Sequence, residues 1–281
     1  MKITFIASLA VTALSMSMAL AQQPATQAPG SPPVSPPVSP PVSPPVSPPD
    51  LGLKVEVDPA AMAIVKAMSD KLAAAKSMSF TAFTIYESPD RTGLPLAYTT
   101  LSQVTVQRPD KLKVVSPGDG PRTEFYYDGK TVNAYEPAAK LVATVEAPDT
   151  IDAMLRAAFQ RAAIYFPFTD LVVSDPMKMI SENVQVAFVV GKSTVVGGVT
   201  TDIVVLVGKF AHVQLWIGSD DKLPRMARAI FLEDPARYRH TVQLSDWKID
   251  PPLAADTFTF NAPADTIRIP FAPPGATEKG K

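Results

Sequence analysis

The sequence predicts an α+β fold built on antiparallel strands, and three observations carry that prediction. Short segments of alternating apolar residues recur about ten times along the chain. The connections between them are short and rich in turn signals such as Asp128-Gly129, which suits hairpins and leaves no room for parallel crossovers. Only two long stretches have the apolar spacing of a helix, one before the strands and one inserted among them.

The first of these is Asp58 to Lys76. Asp58 is placed to cap it and Pro59 suits its first turn. Ala61, Ile64, Val65, Met68 and Leu72 share one face, with Lys66, Asp70 and Lys71 off it. Strands follow over Phe80–Tyr86, Leu96–Gln107, around Leu112 and Val114, and over Phe125–Tyr127, Val132–Tyr135 and Leu141–Val145, with a loop at Ser116–Pro121.

The second helix, inserted after Pro148 and capped by Asp149 or Thr150, carries the stripe Ile151, Met154, Leu155, Ala158, Phe159 and Ala162. Asp152, Arg156, Gln160 and Arg161 form its wet face. An amphipathic helix set among strands needs a sheet face to cover. Val184–Val190, Val199–Val207, Val213–Ile217, Arg225–Leu232 and Tyr238–Leu244 complete the strands, followed by an extended tail through Phe258–Phe260 and Ile267–Phe271.

Composition excludes several functions. The 281 residues are 46% hydrophobic and carry a formal charge of −1, so no basic excess exists to neutralise phosphates, and nucleic acid is not an expected partner. With no cysteine the chain has no disulfide, thiolate metal site, cysteine nucleophile or lipid-anchored cysteine. Met1–Ala21 has the marks of an export signal: Lys2, an apolar run, and Ala19-Leu20-Ala21 before Gln22. The other reading is an uncleaved anchor, weakened by the hydroxyl residues within the run. Residues 22–57 form a linker with Ser-Pro-Pro-Val repeats; proline fixes φ and removes a donor, so neither helix nor ladder is expected there. The linker is a spacer if the signal is retained and a solvated tail if it is cleaved.

Catalytic signatures are sparse. Gly191-Lys192-Ser193-Thr194 resembles the end of a phosphate loop, but Val186 stands where the earlier glycine belongs and a strand follows instead of a helix. The only imidazoles, His212 and His240, fall in different strands without a zinc-ligand spacing. His240 is in phase with Tyr238 and Val242, as a core histidine would be; His212 is in the opposite phase from Val213 and Leu215, facing water or an edge. Asp220-Asp221 lacks the spaced oxygen ligands of a calcium loop and reads as a turn. No cofactor is expected.

Several segments, in this order, carry a family resemblance: Tyr127-Asp128-Gly129-Lys130-Thr131 with Tyr135-Glu136-Pro137; Ala147 to Leu155; Gln214-Leu215-Trp216-Ile217-Gly218 with Leu223-Pro224-Arg225; Leu244-Ser245-Asp246-Trp247; and Phe258 to Pro263. The chain resembles the LolA/LolB and LppX superfamily of lipoprotein carriers and, within it, a family of predicted periplasmic proteins of unknown function. The resemblance spans about Asp58 to Phe271. It implies a strongly curved antiparallel sheet forming an incomplete, half β-barrel of about ten strands, with helices plugging the concave side, where carriers hold acyl chains. Family members often carry a Cys-Asp-His-like segment before the Gln-x-Trp strand; here it reads Thr201-Asp202-Ile203. The carriers' single arginine in the hydrophobic site has no counterpart identifiable in the sequence.

Residues 1–21 are thus expected to be a signal, 22–57 a linker, 58–272 a half-barrel domain and 273–281 a flexible tail. The expected function is a periplasmic, non-catalytic, monomeric binding protein for a lipid or other hydrophobic molecule, touching the membrane only peripherally or through a retained signal. Ile151, Met154, Leu155 and Phe159 are the expected lid, with Met68, Leu72 and Trp216 completing the cavity. The alternative is an envelope protein-interaction or sensor module without lipid cargo. What separates lid from plug is the volume left between the helix stripe and the sheet.

Overall fold

The computed structural model of the protein describes residues 56–117, 121–182 and 184–273. The expectations for the signal, for the linker through residue 55 and for the tail from residue 274 lie outside these. The chain order is α1 (Pro59–Ala74), β1 (Ser77–Pro89), β2 (Pro95–Gln107), β3 (Lys111–Ser116), β4 (Thr123–Tyr127), β5 (Thr131–Glu136) and β6 (Leu141–Glu146). Then come α2 (Ile151–Ala162), α3 (Thr169–Val172), α4 (Pro176–Ser181), β7 (Val184–Ser193), β8 (Thr201–Gly208), β9 (Ala211–Gly218), β10 (Pro224–Phe231), β11 (Arg239–Ile249) and β12 (Ile267–Ile269).

Among the described residues all twelve strands belong to one open sheet, ordered β12-β6-β5-β4-β3-β2-β1-β11-β10-β9-β8-β7. Every pairing of these strands is antiparallel except β12 on β6. Within β1–β6 and within β7–β11 consecutive strands pair as antiparallel neighbours, as the short turns demanded. A long-range antiparallel join sets β1 against β11 and links the two meanders. The count is twelve, not ten, and Phe258–Phe260, expected to be extended tail, is not a strand. That segment instead crosses the outer face of the sheet, where the Phe260 ring lies 5.5 Å from Tyr126 and 5.2 Å from Tyr135. The chain then adds β12 at the edge.

Both long helices start as their caps dictate. The Asp58 carboxylate accepts from the Ala60 N–H at 2.8 Å with Pro59 in the first turn. The Thr150 hydroxyl accepts from the Ala153 N–H at 3.3 Å. α2 ends with Ala163 in the left-handed region (φ 54°), its N–H bonded to Phe159 O, while the Ile164 N–H reaches Ala158 O. Two short helices, α3 and α4, follow before the sheet resumes.

One apolar cluster joins the sheet to this helical layer. It includes Ala61, Val65, Met68 and Leu72 of α1, Ile151, Met154, Leu155 and Ala158 of α2, and Val172 at the end of α3. On the sheet it includes Met78, Phe80, Val104, Val106, Leu112, Val114, Leu215 and Ile217. The helices therefore cover a single face, and burial of that face is the main term holding the domain together. The free edge at β7 is blocked at mid-strand: the Asp58 N–H bonds to Ala187 O and the Ala187 N–H to Glu56 O, which closes a site for unwanted strand pairing.

Candidate functional site: the covered face of the sheet

The covered face is apolar because pleating puts every second residue of each strand on it. Phe80, Val104, Val114 and Phe125 line up across β1 to β4 in register, all nearly fully buried. A run of aromatic rings threads the interior. Trp247 stacks on Phe80 at 4.4 Å, Phe80 meets Phe168 edge-on at 5.6 Å, Phe168 stacks on Phe166 at 5.4 Å, and Phe166 meets Phe125 edge-on at 5.2 Å. The Trp247 N–H donates to Pro224 O at 2.9 Å, which satisfies its one polar group. Phe166 and Phe168 lie in the connection from α2 to α3, so the cover takes part in this run.

Of the expected site residues, Met68, Leu72, Ile151, Met154 and Leu155 are brought together under the cover, each at most 8% exposed. Two are not. Phe159 is 38% exposed at the margin of the α2 stripe. Trp216 alternates with buried Leu215 and Ile217 on β9, so its side chain stands on the opposite face of the sheet and does not line the covered interior. Its cross-strand neighbours are Ile203 and Met226.

The seam between α2 and the sheet is closed. A void of about 10 Å³ remains there, bordered by Val132, Val145, Met154, Ala158 and Phe271 among others. That is room for one water at most. In this conformation the Ile151–Ala162 stripe plugs the interior. A roomier cleft of about 280 Å³ lies where β10 and β11 splay apart, bordered by Leu223, Arg225, Leu244, Asp246 and Trp247. The segments Leu223-Pro224-Arg225 and Leu244-Ser245-Asp246-Trp247, remote in sequence, meet here. Arg225 is held by Asp221 at 2.5 Å and by Leu223 O at 3.0 Å, so its charge is already matched.

A charged group at the margin of the covered interior is Arg108, half-buried just past the end of β2. Its Nη1 donates to Val172 O at 2.9 Å and its Nη2 to Leu72 O at 3.4 Å. These carbonyls end α3 and α1, where the helix leaves acceptors unpaired and the dipole favours a cation. Its Nε is buried with no partner. Burial pushes the guanidinium pKa down, and the Asp152 carboxylate of α2 opposes that shift. Asp152 accepts from the Ser174 N–H at 2.9 Å and from the Ser174 hydroxyl at 2.7 Å, tying α2 to the residues after α3. The Tyr127 hydroxyl donates to Pro148 O and the Ile151 N–H to Pro109 O, fixing the start of α2 to the sheet. The cover is thus held by apolar contact and a few polar ties gathered at one end.

Sequence reasoning did not find Arg108. An arginine between a strand and Pro109 reads as the first residue of a turn. The only available signal was its place at the foot of a strand whose alternate residues Val104 and Val106 are core.

Other candidates resolve into structure. Lys192 pairs with Asp202 at 2.5 Å, across the β7–β8 hairpin that replaces any phosphate loop. The Asp221 carboxylate accepts from the Leu223 N–H at 3.1 Å in a turn. His240 stacks on Tyr86 and meets Phe231 edge-on, and burial lowers its pKa. Among the described residues no group of three or more His, Asp or Glu is arranged to hold a metal, and no helix is long and apolar enough to cross a membrane.

The sequence matches the family of predicted periplasmic proteins called DUF2092 over residues 61–272. The chain belongs to that family. It is accordingly a periplasmic protein. No curated protein matches the sequence. Among solved structures it is similar to an uncharacterised conserved protein of Thermus thermophilus, with 12% identity over 75% of this chain and 99% of that one at a TM-score of 0.44. It is also similar to the Mycobacterium tuberculosis lipoprotein LppX, with 14% identity over 71% and 100% at 0.44. A third is LprF of Mycobacterium bovis, with 16% identity over 70% and 96% at 0.43. Likeness at this level fixes neither ligand nor partner.

Proposed function

We propose that the protein is a non-catalytic periplasmic binding protein for a lipid or another hydrophobic molecule, held between the sheet and its helices, with the sheet curved as an incomplete barrel. The observation that carries this reading is the cover itself. A continuous apolar face lies under α1, α2 and the α2–α3 connection, and a half-buried arginine, Arg108, with its buried Nε unpartnered gathers the helix ends. The form described is closed, so binding requires α2 and the α2–α3 connection to lift from the sheet. Each methylene buried contributes about 0.8 kcal/mol. A chain of a dozen methylenes therefore offers about 10 kcal/mol to offset the opened seam and the broken ties.

The test is to purify the protein gently, extract it with organic solvent, identify co-purifying lipids by mass spectrometry and titrate a fluorescent fatty acid. A lipid in the extract or saturable binding supports the reading; neither would remove it.

One observation favours a second reading, an envelope interaction module. The outer face of β7 to β10 carries Phe188 and Val190, 42% and 53% exposed, beside half-buried Trp216 and Met226. Under that reading Phe188→Asp abolishes function in the cell while fatty-acid binding is unchanged.

A further inference from the structure

The sheet face that carries the core continues past the apolar interior and changes character as it does. Along β1 the residues on this face are Phe80, Ala82, Thr84 and Tyr86, paired in register with Val104, Ser102, Thr100 and Tyr98 of β2. The first pair is wholly apolar. From the second pair onward hydroxyls and rings take over, and exposure along β2 rises from 1% at Val104 to 42% at Tyr98. The Ser102 and Ser116 hydroxyls lie 3.0 Å apart, extending the hydroxyl row onto β3.

On the other side of β1, His240 of β11 stands opposite Tyr86. The rings form a ladder: Tyr98 on Tyr86 at 5.5 Å and 20°, Tyr86 on His240 at 6.0 Å and 28°, and Phe231 edge-on to His240 at 5.1 Å. No Lys, Arg, Asp or Glu stands on this face within these rows. Two acids act on His240 from outside these rows: Asp234 in the β10–β11 connection, and Glu87, which occupies the opposite face of β1 and pairs with Arg239 at 3.2 Å.

We propose that this strip is the platform for the uncharged, hydroxylated headgroup of an acylated lipid, a sugar ring or glycerol group, whose chains occupy the apolar part of the same face. The inference rests on the lipid-binding reading above and names its ligand class. Flat rings with a polar edge accept the C–H faces of a polyol, and the Tyr86, Tyr98 and Thr100 hydroxyls at the accessible end of the strip exchange hydrogen bonds with it, above the buried Thr84 and Ser102. An acyl chain lying here would bury the Tyr86 and Tyr98 hydroxyls without partners. A phosphate would lose its water against a strip with no cation to replace it.

The experiment uses the full chain and the displacement of a bound fluorescent fatty acid. The competitors are a neutral monoglycosyl diacylglycerol and a phosphatidylglycerol with the same acyl chains. The glycolipid is expected to displace the probe at a concentration about tenfold lower. Tyr98→Ala, at an exposed position, is expected to weaken the glycolipid about three- to tenfold while leaving fatty-acid affinity unchanged. Tyr98→Leu, which keeps apolar bulk, is expected to behave as Tyr98→Ala does. Methyl glucoside, a headgroup without chains, is expected to displace nothing. Equal displacement by the two lipids, insensitivity to both Tyr98 variants, or displacement by methyl glucoside would overturn the platform while leaving hydrophobic binding intact. Failure of the fatty acid itself to bind would overturn the underlying reading and the platform with it.

Discussion

Replacing Met154 by alanine probes what the α2 stripe does. Met154 is 1% exposed and borders a void of only about 10 Å³. The substitution removes the Cγ, Sδ and Cε groups from a packed site. At about 0.8 kcal/mol for each group of methylene size, the transfer term is roughly 2.4 kcal/mol. The vacated space adds a cavity term that brings the total to about 3–4 kcal/mol. For a domain of this size that lowers the melting temperature by roughly 10 °C. Urea denaturation followed by Trp216 and Trp247 fluorescence reads the loss as a lower midpoint at unchanged slope. The same cavity, joined to the existing void, should raise the affinity of a small apolar probe. A loss below about 1 kcal/mol would refute the closed packing described, since a helix lying over vacant space has little to lose there.

Three further outcomes are expected. Arg108→Met removes two bonds from a half-buried cation but also relieves its unpaired Nε, so stability should change by no more than about 1 kcal/mol. Fatty-acid association and amide exchange over 151–173 should become faster; a loss of several kcal/mol with unchanged exchange would make Arg108 a structural post and no latch. Trp216→Ala should leave fatty-acid affinity within about twofold, because its ring stands on the outer face and forfeits no contact with a bound chain; a larger loss in the titration would place the ligand elsewhere. Burial, with Glu124 at Tyr126 and the carboxylates of Asp110, Asp149 and Asp128 at Tyr127, raises both phenols to about 12. The unfolded chain ionises them near 10, so it loses protons first. Their contribution is full below about pH 10 and is lost as pH rises toward about 12. The urea midpoint should fall between pH 9 and pH 11, and fall less in Tyr127→Phe.

Much of the fold was legible because local rules and tertiary packing agree. The apolar spacing in α1 and α2, with Asp58 capping the first and Asp149 or Thr150 the second, marked helices whose Met68, Leu72, Ile151, Met154 and Leu155 are core. The two-residue period also carried more than was drawn from it. Val213, Leu215 and Ile217 shared a phase, so Trp216 already stood on the other side of the strand. Its size as an aromatic had no bearing on which face it occupied.

What local pattern cannot supply is partnership at a distance. β12 was read as tail because three residues have no period, and only Leu141–Ala143 on β6 makes them a strand. α3 and α4 are too short to show a stripe. Arg108 became significant only when folding brought Leu72 O and Val172 O to it from 36 and 64 residues away. Phe159 is left at the margin, 38% exposed, while the other five stripe residues are the ones buried under α2.

The measurement that tests the account most directly uses the absence of cysteine in the chain. A cysteine pair at Val145 and Ala158, both bordering the void under α2, would tie α2 to the sheet when oxidised and release it when reduced. The account predicts that the oxidised protein binds no fluorescent fatty acid and yields no lipid on extraction, and that reduction restores both. Fatty-acid binding of equal strength in the oxidised and reduced forms would contradict it, because the ligand would then not enter between α2 and the sheet.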